Sequence, residues 1–280
     1  MISVITPVYN GERFIESCIK VVIDQNCPDV EHIIVDGGST DGTVEILKNY
    51  ADKYPQIRWI SEKDKGQSDA MNKGIAMAKG EILAILNVDD YYEPNVLNRV
   101  SEIFKTLPEP SLIVGNCNVW EDGDKLRFVN KPRKLGFKEL LLVPYVNVFP
   151  MNPSAYFYHA SLHQKIGLYK VEQHYTMDYD FILRAIPVAT TKYVNETWGN
   201  YRLIEGTKTR DDEISGQGPQ RLENLLKSYR QQLPLLEQLE VALSREFHKK
   251  LVRLKHYSKE PQEILPNLIT KVRKVFKLAF

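Results

Sequence analysis

The sequence predicts an α/β fold, a mostly parallel sheet covered on both faces by helices and followed by a helical C-terminal extension. Three observations carry this. Over the first 120 residues strand-like and helix-like segments alternate, the pattern of a parallel sheet with helical crossovers. Across 280 residues, 43% are hydrophobic and 26% charged, a globular composition that excludes wholesale disorder and supports a sizeable core. After Gly216-Gln217-Gly218-Pro219 the chain becomes rich in Leu, Glu, Gln, Arg and Lys, the composition of helices.

Taken in order, the β-branched run Ile2–Thr6 is the first strand, stopped at Pro7. Phe14, Ile15, Cys18, Ile19, Val22 and Ile23 are spaced for one face of a helix running from Gly11 to about Gln25. Glu31–Asp36 is the second strand and ends in the turn Gly37–Gly42. Helix Thr43–Tyr54, strand Ile57–Ser61 and helix Gln67–Ala78 follow, with Gly80 as a stop signal. The unbroken apolar run within Glu81–Leu86 predicts a buried strand, and Pro94 opens a helix over Asn95–Thr106. Beyond it the pattern loosens into a strand at Leu112–Val119, short helices and the aromatic segment Tyr156-Phe157-Tyr158. Residues 220–257 read as helix, and Pro261 and Pro266 precede a last helix to Phe280.

Net charge is +1 and Lys/Arg balance Asp/Glu, so no global basic field points to nucleic acid. Charge is nonetheless uneven, because residues 241–280 hold ten Lys/Arg against three Asp/Glu. Cys18, Cys27 and Cys117 are too few and too scattered for a disulfide framework or a metal knuckle, and read as reduced thiols of a cytoplasmic protein. Neither a signal peptide nor a membrane span is expected. Within residues 264–280, Leu265, Leu268, Ile269, Val272, Val275 and Phe276 share a broad face, flanked by Lys271, Arg273, Lys274 and Lys277. Such a helix either docks on protein or meets an anionic membrane surface peripherally, at the inner face of the membrane.

Each strand ends in polar or acidic residues. Strand one delivers Pro7-Val8-Tyr9-Asn10, strand two Asp36, strand three Glu62 and Asp64, and strand four Asn87, Asp89 and Asp90. One carboxylate at a strand end is ordinarily a turn former or helix cap. Several on one rim repel one another unless a cation or hydrogen bonds compensate. Hard oxygens of this kind suit Mg²⁺ or Mn²⁺ bridging to a diphosphate, and ligands of such sheets sit beyond the carboxyl ends of the strands.

Thr6–Asn10, Val35–Thr43, Glu62–Gly74, Leu86–Asp90 and Asp178–Arg184 resemble, in order and spacing, the successive motifs of family 2 glycosyltransferases. The resemblance covers residues 1 to about 210. It implies a GT-A fold, a Rossmann-like mixed sheet between helices, and inverting transfer of a sugar from a nucleoside-diphosphate donor. It divides the chain into a GT-A domain over 1–215, with a nucleotide-sugar half at 1–110 and an acceptor half at 111–215, and a basic helical extension over 216–280. Asp178 would be the general base. Pro7, Tyr9, Asp36, Asp64, Asp69, Asn72 and Asp90 would bind or support the donor, and Asp89, the DxD-type aspartate, would ligate Mg²⁺ or Mn²⁺. A UDP-sugar donor and a glycan or lipid-linked acceptor are the partners implied, as in cell-surface polysaccharide or glycolipid synthesis. This chain departs from the family at three places: Asn87 opens the DxD triplet, Met177 precedes the base, and Met151-Asn152-Pro153-Ser154 stands where many relatives carry a His-Gln pair.

Other constellations are weaker. Gly37–Gly42 lacks the Walker lysine, and His159 and His163 lack the intervening glutamate of a zinc hydrolase. A binding module that keeps the nucleotide fold without turnover would use the same donor residues, and hydrolysis of the donor separates the two. A nucleotidyltransferase would need a basic glycine-rich loop that residues 7–11 do not supply.

Overall fold

The computed structural model describes residues 1–121, 125–146 and 148–259. The amphipathic segment 264–280 lies outside the described residues. The first half runs β1 (Ile2–Val8), α1 (Ile15–Ile23), β2 (Val30–Asp36), α2 (Thr43–Ala51), β3 (Ile57–Ser61), α3 (Gln67–Met77), β4 (Ile82–Ile85), β5 (Tyr91–Tyr92) and α4 (Val96–Phe104). The second half comprises β6 (Ser111–Glu121), β7 (Lys125–Asn130), α5 (Phe137–Leu141), a single 3-10 turn (Pro153–Ala155), β8 (Tyr156–His159), α6 (Leu162–Ile166), α7 (Met177–Ala185), β9 (Thr190–Arg202), α8 (Lys208–Ser215), α9 (Gly218–Gln231) and α10 (Leu235–Lys259).

One sheet runs through the molecule in the order β3-β2-β1-β4-β8-β6-β9-β5, with β7 paired to β6. Strands β3, β2, β1 and β4 are parallel, whereas β8 runs antiparallel to both β4 and β6. The antiparallel strand makes the sheet mixed. Alternation along the strands splits the core into two layers. Ile5, Leu83, Val114 and Tyr156 face α3 and α7 on one side, and Val4, Ala84, Ile113 and Phe157 meet α1 and α4 on the other.

Two expectations are corrected. Pro7 does not stop β1, which continues to Val8 with Pro7 opposite Val35. On its other side β4 ends opposite Ile5, so the missing proline N–H interrupts no ladder there. The predicted single helix over 220–257 is two, because Pro234 separates α9 from α10; proline has no N–H to continue the helical bonding but is tolerated at a helix start. No described helix is long and apolar enough to cross a membrane.

Candidate active site

The carboxyl ends of β1 and β4, the start of α3, the first turn of α7 and the segment 207–212 surround a cleft of about 590 Å³. From the first half come Pro7, Tyr9, Asp64 and Asp89. Tyr9 stands at the rim with 64% of its surface exposed, a flat aromatic face available for stacking. Asp64 lies close against the turn after β2, where a Cβ on Gly37 would come within 2.5 Å of its Oδ2 and displace the carboxylate. Its Oδ1 accepts from the Gly66 N–H at 2.7 Å, holding the loop that starts α3.

Strand β4 ends in Leu86, and the turn after it sets two neighbouring carboxylates in different surroundings. Asp89 lines the cleft. Asp90 is 1% exposed and accepts at Oδ2 from the Asn87 and Asn152 amides, both at 2.8 Å. Its Oδ1 takes the Arg202 N–H at 3.3 Å. Burial, reinforced by the charge of Asp89, pushes the Asp90 carboxyl well above the usual range, against the pull of these neutral donors. Burial also raises Asp89, opposed by its own backbone N–H and Arg202. The Arg202 guanidinium donates to the Asp89 carbonyl at 2.5 Å, so the last residue of β9 braces the β4 turn. Gln67 extends the network by donating to Asn87 Oδ1 at 2.8 Å.

Asp178 enters from α7. Its Oδ1 accepts from the Tyr156 hydroxyl at 2.8 Å, and the Tyr156 ring is fully buried and stacks on Phe181. Burial raises the Asp178 carboxyl, while the Tyr156 hydrogen bond and the charge of Lys208 lower it. Lys208 lines the same cleft with Asp212; burial lowers its amine, and Asp178 and Asp212 act in the opposite sense. Two residues beyond Asp178, Asp180 accepts from Lys170 at 2.9 Å, Arg184 at 2.7 Å and Tyr229 at 2.8 Å. Burial alone would raise Asp180, but these partners outweigh it and hold the carboxyl below its ordinary value. Arg184 is thus a structural partner of Asp180.

Of the nominated residues, Pro7, Tyr9, Asp64, Asp89 and Asp178 share the cleft, and Asp36, Asp69, Asn72 and Asp90 stand behind it. Asp36 is fully buried, and its carboxylate takes the Gly38 and Ser39 N–H groups and the Ser39 and Ser61 hydroxyls. Asp69 accepts from the Lys65 N–H at 3.0 Å and lies 3.7 Å from the Lys73 amine. Asn72 grips the backbone of Tyr169 with both halves of its amide, at 2.8 and 3.0 Å. These four frame the site; their side chains do not form its surface. Sequence reasoning missed Tyr156, Lys208 and Asp212 as site residues, and read the Asn152 segment only as a departure. No local pattern marks them: Tyr156 is a buried ring of β8 that reaches Asp178 from beneath, and Lys208 and Asp212 lie on α8, outside the motifs.

An α/β sheet of this order, with carboxylates at the ends of its parallel strands, is the GT-A architecture. A family model described as Glycosyl transferase family 2 matches residues 3–167, and the chain belongs to that family. Among curated relatives, an uncharacterized glycosyltransferase from Nostoc sp. is 39% identical over 106 residues, covering 38% of this chain and 33% of its own length. The chain therefore spans about a third of that relative. Among solved structures, S. aureus TarS residues 1–349 in complex with UDP-GlcNAc superimposes with a TM-score of 0.64 at 18% identity, over 92% of this chain and 72% of that one. A mannosyltransferase from Pyrobaculum calidifontis, in complex with GDP-Man and Mn²⁺, gives 0.56 at 17% identity, over 78% and 61%. At these identities the structures speak for the fold.

Proposed function

We propose that the chain transfers a sugar from a nucleoside-diphosphate donor, a UDP-sugar first among candidates, to a hydroxyl acceptor with inversion at the anomeric carbon. The observation that supports it is the shared cleft, in which Asp89 from the β4 turn and Asp178 from α7 meet the exposed ring of Tyr9. Pro7, Tyr9 and Asp64 hold the nucleoside end, and Asp36, Asp69, Asn72 and Asp90 keep that wall in shape. Asp178 takes the acceptor hydroxyl's proton as the oxygen attacks, a general-base role that needs its carboxylate ionised and its free oxygen turned to the cleft. Tyr156 occupies the other oxygen and keeps the carboxylate oriented.

The residues fit a divalent cation shared with the substrate. Asp90 is wrapped by N–H donors, the reverse of a metal ligand's surroundings, so Asp89 is the carboxylate of the pair presented to the cleft. One carboxylate completed by phosphate oxygens is a common way to hold Mg²⁺ or Mn²⁺. Bound there, the cation would neutralise charge building on the diphosphate as it leaves. The neighbour in complex with GDP-Man and Mn²⁺ supports this reading, as the UDP-GlcNAc complex supports a nucleotide-sugar donor. The acceptor class remains as read from the motifs, a glycan or lipid-linked hydroxyl in cell-surface polysaccharide or glycolipid synthesis at the cytoplasmic face, with 264–280 toward an anionic membrane.

A panel of nucleotide sugars assayed for hydrolysis with and without Mn²⁺ tests the proposal without knowledge of the acceptor. Metal-stimulated hydrolysis of at least one donor, lost in Asp89→Ala, is expected. Nucleotide-sugar binding without turnover of any donor would instead indicate a binding module.

A further inference from the structure

From the turn after β4 we infer that Arg202 is a positioning residue for the divalent cation, fixing the Asp89 carboxylate by holding the Asp89 main chain. The inference rests on the cation reading given above. The turn closes on itself over residues 87–90. The Asp90 N–H donates to the Asn87 carbonyl at 3.1 Å, and the Asn87 amide donates to Asp90 Oδ2 at 2.8 Å. Neither bond reaches the carbonyl of Asp89, the residue that lines the cleft. Arg202 does, with Nε donating at 2.5 Å.

The register of the sheet puts it there. Strand β5 pairs with β9 antiparallel, Tyr91 opposite Asn200 and Tyr92 opposite Gly199. Carried two residues past Tyr91, the same register sets Asp89 opposite Arg202. The ladder itself stops short, and side chains continue it. Asp90 Oδ1 takes the Arg202 N–H at 3.3 Å, and the Arg202 guanidinium takes the Asp89 carbonyl. The other edge of β9 is fixed in the sheet, where Arg202 stands opposite Trp120 of β6 and the Leu203 N–H donates to the Trp120 carbonyl at 2.9 Å. The guanidinium also packs against the rings of Phe14 and Tyr91, 5.5 and 5.6 Å from their centroids. It is thus held on several sides while it holds the turn.

The brace leaves the carboxylate itself open. Arg202 spends Nε on the carbonyl, and among the described residues no side chain donates to the Asp89 carboxylate. Placement matters more here than where two carboxylates share a cation. Asn87 stands first in the triplet and is engaged by Gln67 and Asp90, and Asp90 is wrapped by N–H donors. With Asp89 as the one carboxylate offered, no second ligand of the turn corrects its aim, so an outer contact to its backbone bears directly on affinity.

UDP and GDP, titrated calorimetrically into the full 280-residue chain with Mn²⁺ and with EDTA, test this, with Mn²⁺ uptake followed by loss of its free-ion EPR signal. The unsubstituted chain should bind at least one of the two more tightly with Mn²⁺. Arg202→Met should weaken Mn²⁺ uptake by the nucleotide-loaded protein about 10-fold or more, the usual cost of losing an outer contact to a metal ligand. Nucleotide binding in EDTA should fall far less. Arg202→Lys keeps the charge without the rigid donor fork and should lie between the two. If Arg202→Met does not fold, the lysine variant carries the test. An equal loss with Mn²⁺ and with EDTA would make Arg202 a support of the fold alone and overturn the inference. Mn²⁺ uptake unchanged in Arg202→Met or Arg202→Lys would overturn it too. An unsubstituted chain that takes up no Mn²⁺ and binds nucleotide equally without it overturns the cation reading itself, a result visible before any substitution is made.

Discussion

The turn after β4 and the first turn of α7 each carry two aspartates, and each sends one to the cleft and keeps one inside. They differ in what compensates the inner charge. Asp90 is met by the neutral amides of Asn87 and Asn152, and its carboxyl is pushed well above the ordinary range, chiefly by burial. Asp180 is met by Lys170 and Arg184, and despite burial its carboxyl lies below the ordinary value. Both side chains are shielded from solvent, but Asp90 has deeper burial and the Asp89 charge against it with only amide dipoles in compensation, whereas Asp180 meets the full charges of ammonium and guanidinium. The α7 anchor is an ion cluster joining α7 to α9 through Tyr229. The β4 anchor is a hydrogen-bonded knot that tolerates a proton.

The largest expected effect separates outer from inner residues. Asp178→Asn should cut sugar transfer about 10²–10⁴-fold, the usual cost of losing a general base, with nucleotide affinity by calorimetry little changed. Near-normal transfer, or an equal collapse of donor binding, would erase the distinction drawn here between the cleft-facing and the anchoring aspartate.

Asp180→Asn should act on stability. Removing the carboxylate leaves Arg184, itself mostly buried, without its counter-charge, and breaking a buried pair costs on the order of 3 kcal/mol. Because the folded pKa of Asp180 is depressed, its contribution is present above the unfolded carboxylate pKa and lost as pH falls through the folded one. Chemical denaturation should show the deficit in full at neutral pH and shrinking in acid. A deficit independent of pH would mean that packing, not charge, holds α7 to α9.

Tyr156→Phe sharpens the comparison at the outer residue. The substitution keeps the ring and removes the one hydroxyl donated to Asp178, so the Asp178 carboxyl should rise further and the acidic limb of the rate profile should move to higher pH. Tyr158→Phe, whose hydroxyl lies 3.1 Å from His163, should leave the limb in place. Equal profiles for the two variants would show that Tyr156 serves packing alone.

The smallest effect is expected at Asp90→Asn. An amide there can keep its oxygen toward the Asn87 and Asn152 donors and gives up only the long contact to the Arg202 N–H, a loss of about 1 kcal/mol by thermal melting. A collapse comparable to that of Asp180→Asn would mean that the Asp90 charge is needed and the contrast fails.

Much of this frame was legible in advance. Strand β3 falls on the predicted residues, and β2, α2 and α3 lie within one to three residues of theirs, since period-two and period-3.6 patterns record which side of each element is buried. The motif residues Pro7, Tyr9, Asp64, Asp89 and Asp178 do converge on one cleft. Less legible was the split between surface and support. Asn72 shares a motif with Asp64 and Asp36 sits in the motif before it, yet their polar atoms are taken up by the Tyr169 backbone and by the turn after β2. The break at Pro234 could have been read from proline's missing donor alone.

The sequence by itself therefore determined the order of strands and helices over the first 110 residues and the family whose motifs the strand ends carry. These depend on spacing within a few residues, which the chain states directly. Only the tertiary structure decided what holds the inner aspartate of each pair, that Tyr156 holds Asp178, that Lys208 and Asp212 join the wall, and that Asn152 and Arg202 enclose Asp90. The physical reason is distance along the chain. Asn152 lies 62 residues from Asp90, and Arg202 lies 112. Whether a carboxylate is paired, buried or open is settled by groups that only the folded sheet, with β8 and β9 beside the parallel strands, brings within hydrogen-bond reach.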